Sequence, residues 1–527
     1  MEPDADKSGA MVLVGPIVGA VTDTTARVLI EVASELTVTM EAFMDDESVC
    51  VISQDLLPKT PAAFQLENFE PGKRIRVTVT VGEEEEVREA RFTCTNKHKN
   101  KWKIATVSCN CHSHTEEIRL WNRLARVVGD VDCILHLGDQ VYGDSDFGTK
   151  ESGEPFESAW HASLTLLEPV DREEWDSYKE EVREFYREAY RTTWNVPHTA
   201  ICLASTANYM ICDDHEFTDD LGDGPDHANP TSLAYYVAVQ AYQVYNEYQH
   251  QLLEDCDVTD LSLKPYYSFK LSPRVGFFMT DNRVERSLHR GHGSEESWAN
   301  RHFMGPEQWE KVKDAFENDF ANCDVVLFGT PTPLVFLSQR ATGLAVTQMD
   351  DALGTWGHSD FKTEQEALTG LLTEWQNGGR NRALITLGGD VHMGGFTDSW
   401  HNGSSVPLHQ LTASAVGNRP EGNMNILVET ALRNAMYADQ GLFEFQVKHY
   451  DWIYGPNYGM IDFKMTEQGH GRHRPKVTLT LVGEKGAPKI RNLQFGNDDI
   501  DIGDADHSPA SKSAHETAEI MAVSPFD

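Results

Sequence analysis

The sequence predicts an α/β layered domain preceded by a small β-sandwich, and three observations carry that expectation. Between Val12 and Cys94 the apolar residues alternate, with Ala26, Val28, Ile30 and Val32 on one parity and Ile75, Val77, Val79 and Val81 on another. That is the period of half-buried strands. From Trp102 the pattern changes to short apolar runs separated by longer amphipathic segments, as strands alternating with helices require. A chain of 527 residues is also too long for one ordinary domain.

In chain order, residues 1–11 read as a polar N-terminus, 12–97 as the sandwich, 98–495 as the layered domain and 496–527 as an acidic tail expected to stay mobile. Pro71-Gly72 marks a turn, Glu83 to Glu86 reads as a solvated hairpin loop, and Lys97 to Lys101 as a linker. In the layered domain strands are expected at 104–108, 133–137, 209–212, 275–280, 325–328, 384–387, 408–412, 458–463 and 476–482. Helices are expected at 117–128, 172–192 and 231–253. The last carries Leu233, Val237, Ala241, Val244 and Tyr248 on one face, the spacing of core packing.

Lys and Arg number 45 against 83 Asp and Glu, a net charge of −38. Such a surface repels nucleic acid and anionic membranes, so neither is an expected partner. The nine cysteines are scattered without a dense framework, which favours reduced thiols. The acidic start lacks the positive region of a secretory signal, and no run of about 18 apolar residues occurs. A cytoplasmic location without a membrane span is therefore the expectation.

Four segments place metal-ligating side chains immediately after an apolar strand: Cys109-Asn110-Cys111-His112, Gly138-Asp139-Gln140-Val141-Tyr142, Asp213-Asp214-His215-Glu216, and Gly389-Asp390-Val391-His392. In open α/β sheets the loops at strand carboxyl ends converge on one crevice. Hydrolysis of a phosphate ester needs a nucleophile at neutral pH and an offset for phosphoryl charge, and two cations roughly 4 Å apart provide both. Asp139 is the candidate bridge, because Gly138 lets the chain turn sharply out of the strand. A Cys109 thiolate and a Tyr142 phenolate suit ferric ion. If residues 213–216 stay extended, side chains alternate, so Asp213 pairs with His215 or Asp214 with Glu216. His215, with an ordinary pKa near neutrality, is a candidate to protonate the leaving oxygen. Asp219 and Asp220 lie near enough in sequence to add ligands, and Asp390 and His392 can share one face. Arg283 and Arg286 are candidates to hold phosphate oxygens, and His112 and His114 to reach substrate.

These segments, with Thr280-Asp281-Asn282-Arg283, Met304-Gly305-Pro306-Glu307-Gln308 and the N-terminal Gly15-Pro16-x-x-Gly19, resemble the PhoD-like alkaline phosphatases and phosphodiesterases of the metallophosphoesterase (calcineurin-like) superfamily. The resemblance runs from about Val12 to Val482. It implies a four-layer α/β/β/α sandwich behind a small all-β, immunoglobulin/fibronectin-like sandwich. It also implies a centre of Fe³⁺ and Ca²⁺, with Cys109, Asp139, Tyr142, Asp390 and His392 on iron and Asp213 on calcium. Where the family carries paired Asn after the tetrad, this chain has Asp219 and Asp220, which leaves the second metal open.

The resulting expectation is a hydrolase of a small phosphate ester that uses hydroxide activated at the two ions. Asp213 or Asp214 with Asp220 would hold the second cation. The alternatives are a dedicated phosphodiesterase with little monoesterase activity and a non-catalytic interaction scaffold.

Overall fold

A computed structural model describes residues 11–82, 86–112, 118–145, 157–222, 224–286, 302–338, 341–342, 354–379, 381–401, 404–419, 446–468 and 472–495. The predicted mobile tail, most of the polar N-terminus, Glu83 to Glu85 and His114 lie outside the described residues.

Two large sheets build the layered domain. One has six strands in the order Ala207–Ile211, Cys133–Leu137, Lys101–Val107, Asn457–Gln468, Arg472–Gly483 and Lys489–Gln494. Its first three strands are parallel and the rest antiparallel. The other has seven, in the order Tyr267–Ser272, Val275–Met279, Val325–Thr330, Ala383–Gly388, Leu408–Thr412, Gly394–Trp400 and Gln446–Ile453, with the four from Val275 to Leu408 parallel.

Side-chain parity shows how the layers stack. Leu135 and Leu137 of one sheet and Val325 and Leu327 of the other share a single apolar cluster, so these faces meet. On the reverse faces Ile134 packs with Leu120, Trp121 and Leu124 of the helix Leu120–Ala125. Val326 and Phe328 pack with Val312, Leu368 and Leu372 of the helices Pro306–Asp314 and Lys362–Asn377. Buried strands that read as continuous apolar runs need cover on both faces, and the outcome is the α/β/β/α sandwich that the sequence implies.

Every predicted strand is present within a few residues. The helix expected at 231–253 is Leu233–Tyr248 followed by a 3₁₀ turn, His250–Leu252. That at 172–192 opens with a 3₁₀ segment, Arg172–Tyr178, before Lys179–Trp194. Of the helix expected at 117–128, the described residues show Leu120–Ala125, followed by a 3₁₀ turn at Val128–Asp130. All nine cysteines are free thiols.

The N-terminal unit is two antiparallel sheets, Val12–Val21/Ala26–Val32/Ala62–Leu66 and Glu47–Leu56/Leu36–Met44/Arg74–Val81/Glu86–Thr93. Glu86 departs from the solvated loop expected of it: it begins a strand and accepts from the Met11 and Val12 amides at 2.7 and 3.0 Å. The stretch read as a linker is also tied down, with Lys99 paired to Asp132 and Lys101 already in a strand.

No seam in the core separates the sandwich from the layers. Val28, Ile30 and Val77 belong to the same cluster as Leu135 and Phe277. Gly19 sits so close to Leu252 that a Cβ would run into its carbonyl. Buried Glu31 of the sandwich accepts from Arg191 and, at 2.6 Å, from the Tyr248 hydroxyl. Removing one partner of a buried ion pair strands the other charge, whereas an exposed pair contributes little. Glu31→Ala should therefore lower unfolding stability by about 3 kcal/mol or more, while Glu188→Ala, which removes Arg191's solvent-exposed partner, should change it by under about 1 kcal/mol. Guanidinium unfolding midpoints of the two variants check the contrast.

Candidate metal centre

All four ligand-bearing segments lie at carboxyl ends of parallel strands: Cys109 after Lys101–Val107, Asp139 after Cys133–Leu137, Asp213 after Ala207–Ile211, and Asp390 after Ala383–Gly388. The backbone bends sharply at each. Cys109, Asp139, Asp390 and His392 have φ of 55°, 56°, 62° and 51°, the left-handed region that costs a residue with a side chain about 1 kcal/mol or more. Four such residues at one point are strain held by the surrounding sheets. Gly138 has φ 92°, and a Cβ there would lie 2.5 Å from that of Asp213, so the two turns can touch only with glycine in place.

Asp139 is at the middle. Its Oδ2 lies 3.3 Å from Cys109 Sγ and its Oδ1 accepts from the His215 amide at 3.3 Å. On the Cys109 side, Tyr142 Oη is 3.2 Å from His392 Nε2, and Cys109 Sγ is 3.6 Å from the Asp390 carbonyl. On the other side, ligand atoms of Asp139, Asp214 and His215 lie within 4.8 Å of one another, as do those of Asp214, Asp219 and Asp220.

The 213–216 tetrad does not stay extended. The chain turns after Cys212, with the Phe217 and Thr218 amides donating to the Asp214 carbonyl, so the alternation expected for a strand does not decide which side chains face the site. Asp213 Oδ1 is taken by Arg283 Nε, and Arg283 Nη2 lies 3.5 Å from Asp214 and 3.9 Å from Asp390. Buried Asp213 Oδ2 and Asp214 Oδ1 have no hydrogen-bond partner among the described residues. Oxygens left in this way fit a cation, as does the mixed sulfur, phenol, imidazole and carboxylate donor set.

Arg283 is buried among carboxylates, with Nη1 lacking a hydrogen-bond partner among the described residues. Arg286 is also buried and donates to the Leu221 carbonyl at 2.7 Å. The two guanidinium groups meet at Gly354, where a Cβ would lie 2.9 Å from Arg283 Nη1 and 2.8 Å from Arg286 Nη1. His112 is partly buried close to Cys109 in sequence.

Burial dominates the electrostatics. It raises the proton affinity of Asp139, reinforced by Asp213, Asp214 and Glu216 and opposed by His215. Burial and the neighbouring Asp139 push the Cys109 thiol up, and burial with Cys109 pushes up the Tyr142 phenol. His215 moves the other way. Burial disfavours its charge, but Asp144, Asp214 and Asp139 outweigh it and hold the imidazole protonated well above its usual range.

Several supporting residues escaped the sequence reading. Asp144 lies 2.8 Å from His215 Nδ1, whose ring stacks on Tyr142 at 4.0 Å. Its position two residues after Tyr142 was the available signal. Glu216 was counted only as a possible ligand, yet it accepts from the amides of Asp139, Gln140 and Asp213 and from Gln249 Nε2, so it braces two ligand turns. Ser414 and Asn418 touch Cys109 Sγ at 3.1 Å and Tyr142 Oη at 3.0 Å, from a stretch with no motif.

Strand-end donors from both sheets, gathered around one carboxylate, define a hydrolase of the layered α/β type. The family model for PhoD-like phosphatases matches residues 104–470. The chain belongs to that family and is a phosphoric ester hydrolase. A solved structure of PhoD aligns over 98% of this chain and 98% of its own, at 12% identity and a TM-score of 0.62, and so shares the fold. GAP50, the anchor in the inner membrane complex of Plasmodium, aligns over 76% of this chain and 91% of its own, at 11% identity and a TM-score of 0.36, too low to bear on the fold. No curated protein matches. Among the described residues no helix is long and apolar enough to cross a membrane.

Burial raises the proton affinity of Cys109, Asp139 and Tyr142, so a cation held by them would compete with protons. Affinity should then rise with pH, by about tenfold per unit for each proton released. Calorimetric metal titrations of stripped protein at pH 6 and pH 8, in buffers of different ionisation heat, measure both the trend and the proton count.

Proposed function

We propose that this chain hydrolyses small phosphate esters at a centre for two cations bridged by Asp139. The observation that carries the reading is the division of one buried carboxylate, with Oδ2 toward Cys109 and Oδ1 accepting from the His215 amide, while a ligand oxygen of Asp139 lies within 4.8 Å of ligand atoms of Asp214 and His215. Cys109, Asp139, Tyr142, Asp390 and His392 would hold Fe³⁺. Asp139 and Asp214, with Asp220 and the remaining oxygen of Asp213, would hold the second cation, Ca²⁺ or another divalent ion. When bound, the pair supplies an activated water nucleophile and offsets phosphoryl charge.

The chain's own groups do the rest. Arg283 Nη1 and Arg286 would steady phosphoryl oxygens. Asp144 occupies Nδ1 of His215, so a proton delivered to the leaving oxygen comes from Nε2, and general acid assistance of this kind contributes about 10²–10⁴-fold. Tyr142, stacked on the ring, keeps it in plane. The small-molecule ester is the expected partner, and a cytoplasmic setting remains the proposal drawn from the sequence.

Asp139→Asn removes the charge that a bridge needs while keeping its shape. The variant should fold, shown by an unchanged circular dichroism spectrum, lose bound metal by elemental analysis, and fall at least about 10³-fold in kcat on p-nitrophenyl phosphate. Full turnover in it would sink the mechanism. For His215→Gln the expected loss is about 10²-fold or more with metal content retained. Comparing p-nitrophenyl phosphate with its bis ester separates a monoesterase from a dedicated phosphodiesterase.

A further inference from the structure

A histidine outside the donor set lies beneath the Asp139 turn. His136 belongs to the strand Cys133–Leu137 and is 1% exposed. Its Nδ1 is 2.6 Å from Gln140 Oε1 and its Nε2 is 3.0 Å from Asn208 Oδ1. Neither amide is free to turn over. Gln140 Nε2 donates to the Gly138 carbonyl at 2.7 Å. Asn208 Nδ2 lies 2.9 Å from the Val18 carbonyl, 3.0 Å from that of Leu203 and 2.9 Å from that of Thr206. Flipping Asn208 would set its oxygen against three carbonyl oxygens, and flipping Gln140 would set its oxygen against that of Gly138.

Both ring nitrogens therefore face acceptors, and a neutral imidazole can donate from only one. In the neutral form a nitrogen lone pair would point at a carbonyl oxygen with no water to intervene, which is the costly way to bury a polar group. Burial is the larger influence and lowers the ring's proton affinity, while the hydrogen bonds to Asn208 and Gln140 raise it. The geometry weighs against burial here, because two acceptors pinned from behind face the ring nitrogens and neither amide can turn over to relieve the conflict.

We propose that His136 is held doubly protonated and acts as a positioning residue. Its imidazolium clamps Gln140 and Asn208 together, which fixes the Gly138-Asp139-Gln140 turn and ties it, through the Val18 carbonyl, to the N-terminal sandwich. The consequence for Asp139 rests on the bridging role proposed above, whereas the protonation state does not.

Histidine-selective ¹⁵N labelling of the full-length, metal-stripped protein tests the first part, with the His136 signals assigned by their loss in His136→Gln. Both ring nitrogens should carry a proton from pH 6 to pH 9, and an unprotonated nitrogen throughout that range would overturn the proposal. For the second part the probe is calcium alone, titrated calorimetrically. Wild-type protein should bind about tenfold more tightly than His136→Gln, and equal affinities would overturn the positioning role. If that variant does not fold, the wild-type spectrum still decides without assignment, because the absence of any doubly protonated imidazole at pH 9 would overturn the proposal. Absence of calcium binding to the wild type, with the doubly protonated spectrum intact, would count against the metal assignment instead.

Discussion

Everything at the heart of this molecule follows from placing carboxylates where water cannot reach them. Asp139, Asp213, Asp214 and Glu216 are each no more than 4% exposed, and each charge so buried needs a partner or a proton. The fold supplies partners unevenly. Glu216 receives four donors and Asp213 receives Arg283, but among the described residues Asp139 has only an amide and a thiol. Charge that is incompletely met, rather than any single ligand, sets this pocket apart from an ordinary buried ion pair.

Holding it in place takes rigidity from every layer. Four left-handed residues at strand ends would relax if the turns bearing them were free. Their turns are pressed between neighbours: Gly138 against Asp213, and Gly389 against Leu137 and Ser108. Behind them stands a core that runs unbroken from the sandwich through both sheets, with Asn208 and Tyr209 reaching from the six-stranded sheet to the backbone of Val18 and Val21. The sandwich is thus part of what aims the ligands, although it carries none of them.

The sequence made the layers and the four ligand segments legible because both depend on local pattern. Apolar runs locate the strands, and a glycine followed by an acid at a strand end marks a turn into the crevice. What it concealed was pairing across the fold. Nothing near Arg283 in sequence indicates that its Nε is committed to Asp213, seventy residues away. Glu216 reads like its neighbours in the tetrad, and only the direction of the turn after Cys212 makes it a brace instead of a ligand. Ser414 and Asn418 lie in a stretch whose residue types announce nothing, and they matter only because the Leu408–Thr412 strand ends beside Cys109.

The charge balance explains why a protein of this composition needs cations at its centre. A phosphate ester approaching a surface of net charge −38 is repelled until something local reverses the field. Arg283 and Arg286 are the buried guanidinium groups nearest the carboxylates, but Arg283 is already shared among Asp213, Asp214 and Asp390. Asp213, Asp214 and Asp390 stand against Arg283, Arg286 and the protonated His215, with Asp139 drawn toward its neutral form by burial, so the protein alone has no surplus of positive charge to offer a substrate anion. Cations bound there would supply that surplus, beside the buried oxygens of Asp213 and Asp214 that no hydrogen bond meets among the described residues. On this reading metal dependence is a consequence of how the acids are buried, and under the proposed function the arginines would be free for phosphate only once the acids had found another partner.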